Sequence, residues 1–355
     1  MSVFEQNHLF PELKEAFSQV YRYRPSAELA AAYLARLLHY PQEPAIPLHR
    51  LQQFICRAKW DADRLAQQLY PFVQRHCMGA VETGMLIPVE MTFLKQGNHS
   101  CGVHRSFCEQ EKKVRNCQVG LIGMFYQNGV SFPVGRRLLI PKNWFADPDR
   151  CQRAGIPPSL SYATREELMG QMVAELVRSP LSFHWVVSNS FWEEITPVRQ
   201  VCEETGTAYL FRIHAKAPLP GGRDGEPAEL VAKKIPATEW QAVAPAPPHF
   251  VWAMRPLWPG AHRVLLIRRI VQRLMPDLYY IGYTPEEPTL DAFVRRILVA
   301  DQVEQSVPEQ ETLLRQYEVR GYRSWYRHMT LACWARALQE ILEWDTEATN
   351  HANER

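Results

Sequence analysis

Two groups of side chains in this sequence have the chemistry to hold a polyanion. Between Lys95 and Arg153 stand ten cations (Lys95, Arg105, Lys112, Lys113, Arg115, Arg136, Arg137, Lys142, Arg150 and Arg153) against four acids (Glu109, Glu111, Asp147 and Asp149). That is a local excess of six positive charges in a chain whose net charge is only +2. An anionic partner senses such segregation rather than the overall balance. Near the C-terminus, Arg320, Arg323 and Arg327 recur close to helical spacing with Tyr322, Trp325 and Tyr326 between them, and His328 follows. This pattern can turn one cationic face toward phosphates. The same arginines could instead pair with acids and cap a helix. A third cluster, His99, Cys101, His104 and Cys108, has zinc-ligand types within ten residues. Structural zinc sites bring two close pairs together across a turn, and on a strand His99 and Cys101 would face away from His104 and Cys108. No metal centre is expected there.

The elements that must carry these groups follow from composition and periodicity. At 355 residues the chain is long enough for two or three structural units, and 46% hydrophobic with 22% charged residues is globular composition. No run approaches eighteen apolar residues, and Glu5, Glu12 and Glu15 stand where a secretory signal needs an apolar stretch. A cytoplasmic protein without a membrane partner is expected. The eight cysteines form no CxxC pair and read as free thiols.

Residues 1–80 read as a helical unit with helices at Glu28 to Leu38 and Leu48 to Arg57, and a third capped by Asp61 or Asp63 and running through Tyr70. Arg50, Arg57, Lys59, Trp60 and Arg64 punctuate it, so either an ordinary bundle or a helix-turn-helix-like DNA contact fits. From 81 to 215 the period changes. Met85 to Phe93, Cys101 to Cys108 and Cys117 to Tyr126 read as antiparallel strands. Then come a helix capped at Thr164 with Glu167 closing a capping box, a strand at Phe183 to Val187, a helix at Ile195 to Glu204 and a strand at Ala208 to Ile213. Three strands, helix, strand, helix, strand is the order of an RNase H-like mixed sheet flanked by helices, hence an α/β fold. Residues 216–248 read as Pro- and Gly-rich linker; strands at Phe250 to Pro256, His262 to Arg268 and Leu278 to Tyr283 complete a β-rich insertion over 216–285. Residues 286–345 return to helix, ending in one from Ser324 to Trp344, and 346–355 form a fraying tail.

Separated motifs in collinear order then carry a resemblance. FLKQGNHSCGV (93–103), NCQVG (116–120), RRLLIPKNWFADPDRCQRAGIP (136–157), YATREEL (162–168), YEVRGYRSWYRHMTLA (317–332) and RAKWDADRL (57–65) are similar to DDE insertion-sequence transposases of the branch with a β-rich insertion before the last acid. The likeness spans most of residues 28–340. It implies an enzyme that cuts and joins DNA with three carboxylates holding two divalent metals, because hard Mg²⁺ or Mn²⁺ prefers anionic oxygen.

The residues at the matching positions depart from that pattern. Where the family has its first Asp, in Asp-Asp-Thr-Gly-Phe, this chain reads Val89-Glu90-Met91-Thr92-Phe93. Where the second Asp follows the Trp-Val strand, it has Asn189, whose amide adds no charge. The third acid aligns with Glu304 when counted from Leu290 and with Gln302 when counted back from Tyr317; the Lys that follows it in the family is missing, and Pro308 should kink or interrupt the helix. The resemblance therefore implies a catalytically inactive, transposase-derived protein that binds double-stranded DNA. The expected contacts are Lys95, Arg105, Lys112, Lys113, Arg115, Arg136, Arg137, Lys142, Arg320, Arg323, Arg327 and His328, with no catalytic residue intact at Val89, Glu90, Asn189 and Glu304 and no bound metal. Nucleoid association in a prokaryotic cytoplasm, a homodimer and a protein or ribonucleoprotein partner are compatible with it. The competing reading is an active transposase or nuclease that holds Mg²⁺ or Mn²⁺ with Glu90 and Glu304; a protein-interaction scaffold without DNA binding is the third.

Overall fold

The computed structural model describes residues 8–40, 46–77, 84–108, 112–219, 225–257, 262–271, 276–316 and 319–353. Helices α1 (Phe10–Val20), α2 (Arg24–Leu37), α3 (Leu48–Arg57) and α4 (Ala62–His76) form the N-terminal unit. Asp61 sets the start of α4, where its carboxylate accepts from the backbone N–H groups of Asp63 and Arg64. The amphipathic spacing of Leu51, Phe54 and Ile55, and of Leu65, Leu69, Phe72 and Val73, turns these residues inward.

The chain then lays down β1 (Gly84–Leu94), β2 (His104–Cys108), β3 (Lys113–Gln127) and β4 (Val130–Leu139), followed by α5 (Pro148–Ala154) and α6 (Arg165–Val177). Next come β5 (Phe183–Phe191), α7 (Thr196–Glu204), β6 (Ala208–Ile213), α8 (Ala228–Lys233), β7 (Phe250–Pro256), β8 (Arg263–Ile270) and β9 (Leu278–Tyr283). Two helices close the chain, α9 (Leu290–Arg315) and α10 (Tyr322–Asn353). All nine described strands share one sheet in the order β2-β3-β1-β5-β6-β9-β8-β7, with β4 on β3. Within it β4-β3-β1 is an antiparallel meander and β1-β5-β6 are parallel. This is the mixed α/β, RNase H-like arrangement expected. Strands β9, β8 and β7 add antiparallel to the β6 edge and widen the sheet.

Three expectations need correction. The third core strand is β4, whereas the 101–108 stretch supplies only the short β2 beside the far end of β3. Pro133, Gly135, Arg136 and Arg137 hide β4 in the sequence; Gly135 and Pro133 flank a register shift, where a missing N–H is tolerated. The last helix starts at Tyr322 and continues to Asn353 rather than ending at Trp344, since no Gly or Pro stops propagation. Helix α9 runs unbroken through Pro308. A proline in mid-helix forfeits the bond to the carbonyl four residues back, that of Glu304, yet the helix continues, with Val303 and Val307 before it buried.

Strand alternation fixes which face each residue of β1 serves. A Cβ on Gly120, which pairs with Met91, would meet Trp325 of α10, so Val89, Met91 and Phe93 face α10 and α9. A Cβ on Gly123, which pairs with Pro88, would meet Leu176 of α6, so Pro88 and Glu90 face α6. Among the described residues no helix is long and apolar enough to cross a membrane.

Candidate functional site

The parallel pairing of β1 with β5 sets Met85 beside Trp185 and Leu86 beside Val186. Further along, the Ser188 hydroxyl donates to the Pro88 carbonyl at 3.1 Å, which keeps the strands in step and brings Val89 level with Asn189. Val89 is buried and offers only methyl groups. Asn189 sits where β5 bulges, between Ser188 and Phe191. Its side-chain N–H donates to Asp301, its amide oxygen accepts from the Tyr280 hydroxyl at 2.8 Å, and its backbone N–H donates to Glu304 Oε1 at 2.8 Å. Helix α9, capped by Thr289, presents Asp301 and Glu304 three residues apart on one face. The Arg268 guanidinium from β8 pairs with Asp301 at 2.6 Å and lies over the rings of Phe250 and Trp252. Arg212 from β6 donates to the Asn189 carbonyl at 3.4 Å.

Asp301 is the residue that sequence reading missed. The signal was present, because an acid three residues before Glu304 must share its helical face, but it is masked when the residues are scored against a linear motif. Of the two positions aligned with the third acid, Glu304 reaches the Asn189 backbone N–H, and Gln302 is exposed. Burial pushes the Glu304 carboxyl up to about 7; the hydrogen bond from Asn189 opposes this and the neighbouring charge of Asp301 adds to it. Burial also raises the Tyr280 phenol.

Glu90 lies on the other face of β1, exposed, with Arg165 at 3.3 Å. It therefore does not join Asn189 and Glu304 as a substitute acid. A pair of dications needs anionic oxygen from separate elements converging on one point. Here β1 contributes hydrocarbon, β5 an amide held by Tyr280 and Asp301, and the Asp301 carboxylate is matched by Arg268. These residues do not fit two divalent ions.

The twelve expected DNA contacts divide in two. Arg105, Lys112, Lys113, Arg115, Lys142, Arg320 and Arg323 are exposed. Lys95 is half-buried, and burial lowers its ammonium to about 8. The other four are corrected by their surroundings. Arg136 is buried between Asp63 at 2.8 Å and the Tyr326 ring. Arg137 pairs with Glu175 at 2.6 Å. Arg327 donates to the carbonyls of Ile55 and Trp60 at 3.0 and 2.9 Å and lies over the Trp60 ring, which ties α10 to the N-terminal unit. His328 is fully buried, contacting the Tyr33 hydroxyl at 2.8 Å and the Leu314 carbonyl at 3.1 Å, and burial lowers its pKa to about 4. Helical spacing suggested one cationic face for Arg320, Arg323 and Arg327, but Arg320 lies before α10 begins, Arg323 is exposed, and Arg327 and His328 turn into the core.

Some of the exposed cations lie on elements that three hydrogen bonds draw together. The Cys101 N–H donates to the Arg320 carbonyl at 2.8 Å, Arg150 donates to the Asn98 carbonyl at 3.2 Å, and Asn116 reaches the Asn98 side chain at 2.9 Å. These bonds bring the start of the last helix, the 95–103 turn, α5 and the β2–β3 pair together. Arg323 opens onto a cleft of about 630 Å³ between the start of α4, β4 and the start of α10.

No curated protein matches this chain. A family model described as DDE superfamily endonuclease matches residues 32–245, a span that holds Val89 and Asn189 but ends before α9. With more than half its length matched and the mixed sheet in the order that such nucleases need, this chain belongs to the DDE superfamily endonuclease family.

Proposed function

We propose that this protein binds double-stranded DNA through its exposed cations and does not cut it, serving as a transposase-derived subunit of a larger DNA-targeting or regulatory assembly. The observation that carries the reading is the acid pocket itself. Val89 stands on β1, Asn189 is engaged on both sides of its amide, and the Asp301 charge is answered by Arg268. An internal ion pair replaces the attraction that would have drawn dications, and reaching a two-metal state would require separating it. The phosphate-facing groups Arg105, Lys112, Lys113, Arg115, Lys142, Arg320 and Arg323 remain outside. Cations of this kind give affinity that falls steeply with salt and carries little sequence information.

The full chain incubated with supercoiled and linear duplex DNA in Mg²⁺ or Mn²⁺ tests this. Retarded but intact DNA is expected, with binding weakened by Arg320→Glu and Arg323→Glu together. Metal-dependent nicking that disappears in Glu304→Ala would overturn the claim of inactivity, and wild-type protein that retards no DNA would overturn the claim of binding.

A further inference from the structure

Phe107 and Val114 face each other across the β2–β3 ladder and are 51% and 49% exposed. A cross-strand aromatic and β-branched pair normally packs against something. One exposed apolar residue needs no explanation, but here two apolar side chains stand exposed together, with a cation beside them. Arg105 lies two residues before Phe107, hence on the same side of the strand, whereas Lys113 and Arg115 alternate with Val114 and turn to the other side, and Lys112 is exposed just before β3 begins. Alternation along β3 carries the side of Val114 through Asn116 and Gln118 to Gly120, which faces α10. The pair therefore looks out from the same side of the sheet as Val89 and Asn189. A purely apolar partner would leave Arg105 on this face unmatched, whereas a nucleic acid presents flat apolar base faces beside phosphates.

We propose that the β2–β3 pair is a DNA-gripping arm in which Phe107, backed by Val114, stacks on a partly unstacked base while Arg105 holds an adjacent phosphate. The proposal rests on the DNA-binding reading above and adds the mode of contact. Insertion of an apolar side chain at a base step is costly in a perfect duplex and cheaper where pairing is already broken. The protein should therefore favour a duplex with one central mismatch over its perfect counterpart.

Fluorescence anisotropy of the full chain with both duplexes, 2-aminopurine marking the mismatch, tests this. Wild type should prefer the mismatched duplex and brighten the probe. Phe107→Ala should lose both and bind it about tenfold more weakly, with the salt dependence unchanged, and Phe107→Trp should retain both. Arg105→Ala should lower the slope of log affinity against log salt by about 1. If Phe107→Ala matches wild type while the Arg320→Glu, Arg323→Glu variant loses DNA, the stacking arm is wrong and the DNA-binding reading survives. If wild type binds neither duplex, both fail. A change in oligomeric state on Phe107→Ala with DNA binding intact would assign the face to a second copy of the chain and overturn the proposal.

Discussion

The Asn189 amide has a partner on each side, Tyr280 on its oxygen and Asp301 on its nitrogen, and its backbone N–H donates to Glu304. Glu304 has its carboxyl held up near 7 against an ordinary 4.5. Such a group favours the fold fully below pH 4.5, and the contribution is lost as pH rises through 7. His328 works the other way: with its pKa pushed from 6.5 down to about 4, its contribution is present above pH 6.5 and lost as pH falls through 4. Because the two oppose one another, the difference between wild type and a variant is the useful quantity. Glu304→Gln keeps an acceptor for the Asn189 N–H but cannot ionise. Its stability relative to wild type should rise between pH 5 and 8 by on the order of 2 kcal/mol, screened by partial exposure. Urea unfolding at both pH values measures this, and a difference that does not change with pH would refute the buried-carboxyl account.

At the scale of the element, α10 is the keel of the molecule. Trp325, Met329, Trp334 and Leu338 are buried, and the helix packs against α2, α3, α4, β4 and α9. Arg327 belongs to this packing. Arg327→Met should lower stability by about 2–4 kcal/mol, because the carbonyls of Ile55 and Trp60 lose their donors. The salt dependence of DNA binding should stay as in wild type. Thermal unfolding with anisotropy titrations at several salt concentrations separates the two effects, and a stable variant with a shallower salt slope would return Arg327 to the DNA surface. Periodicity told that this segment is a helix but not what surrounds it. Local signals did better where the cause was local: the Thr164 and Glu167 capping box is present in α6, and β6, β7 and β9 begin and end where their apolar runs do. Strand β4 escaped because its charges are neutralised by residues far away in sequence, Asp63 and Glu175.

For the whole molecule, the ion pair between Arg268 and Asp301 makes one further outcome testable. A pair of dications bound at a hundred times their dissociation constant would add about 2.7 kcal/mol to stability. The thermal midpoint is therefore expected to be the same in Mg²⁺, in Mn²⁺ and after chelation, and a rise in Mn²⁺ that is lost in Glu304→Gln would show that the pocket still takes metal. The amino-acid sequence by itself determined the family and most of the helices and strands, though not β4, because each depends on residue identity or short-range spacing. Only the tertiary structure decided that Asp301 joins Glu304, that Glu90 stands on the wrong face, that Arg136, Arg327 and His328 are buried and that Arg137 pairs with Glu175. Burial and charge pairing are set by whichever element folds over a residue, and here those partners lie from dozens to hundreds of positions away along the chain.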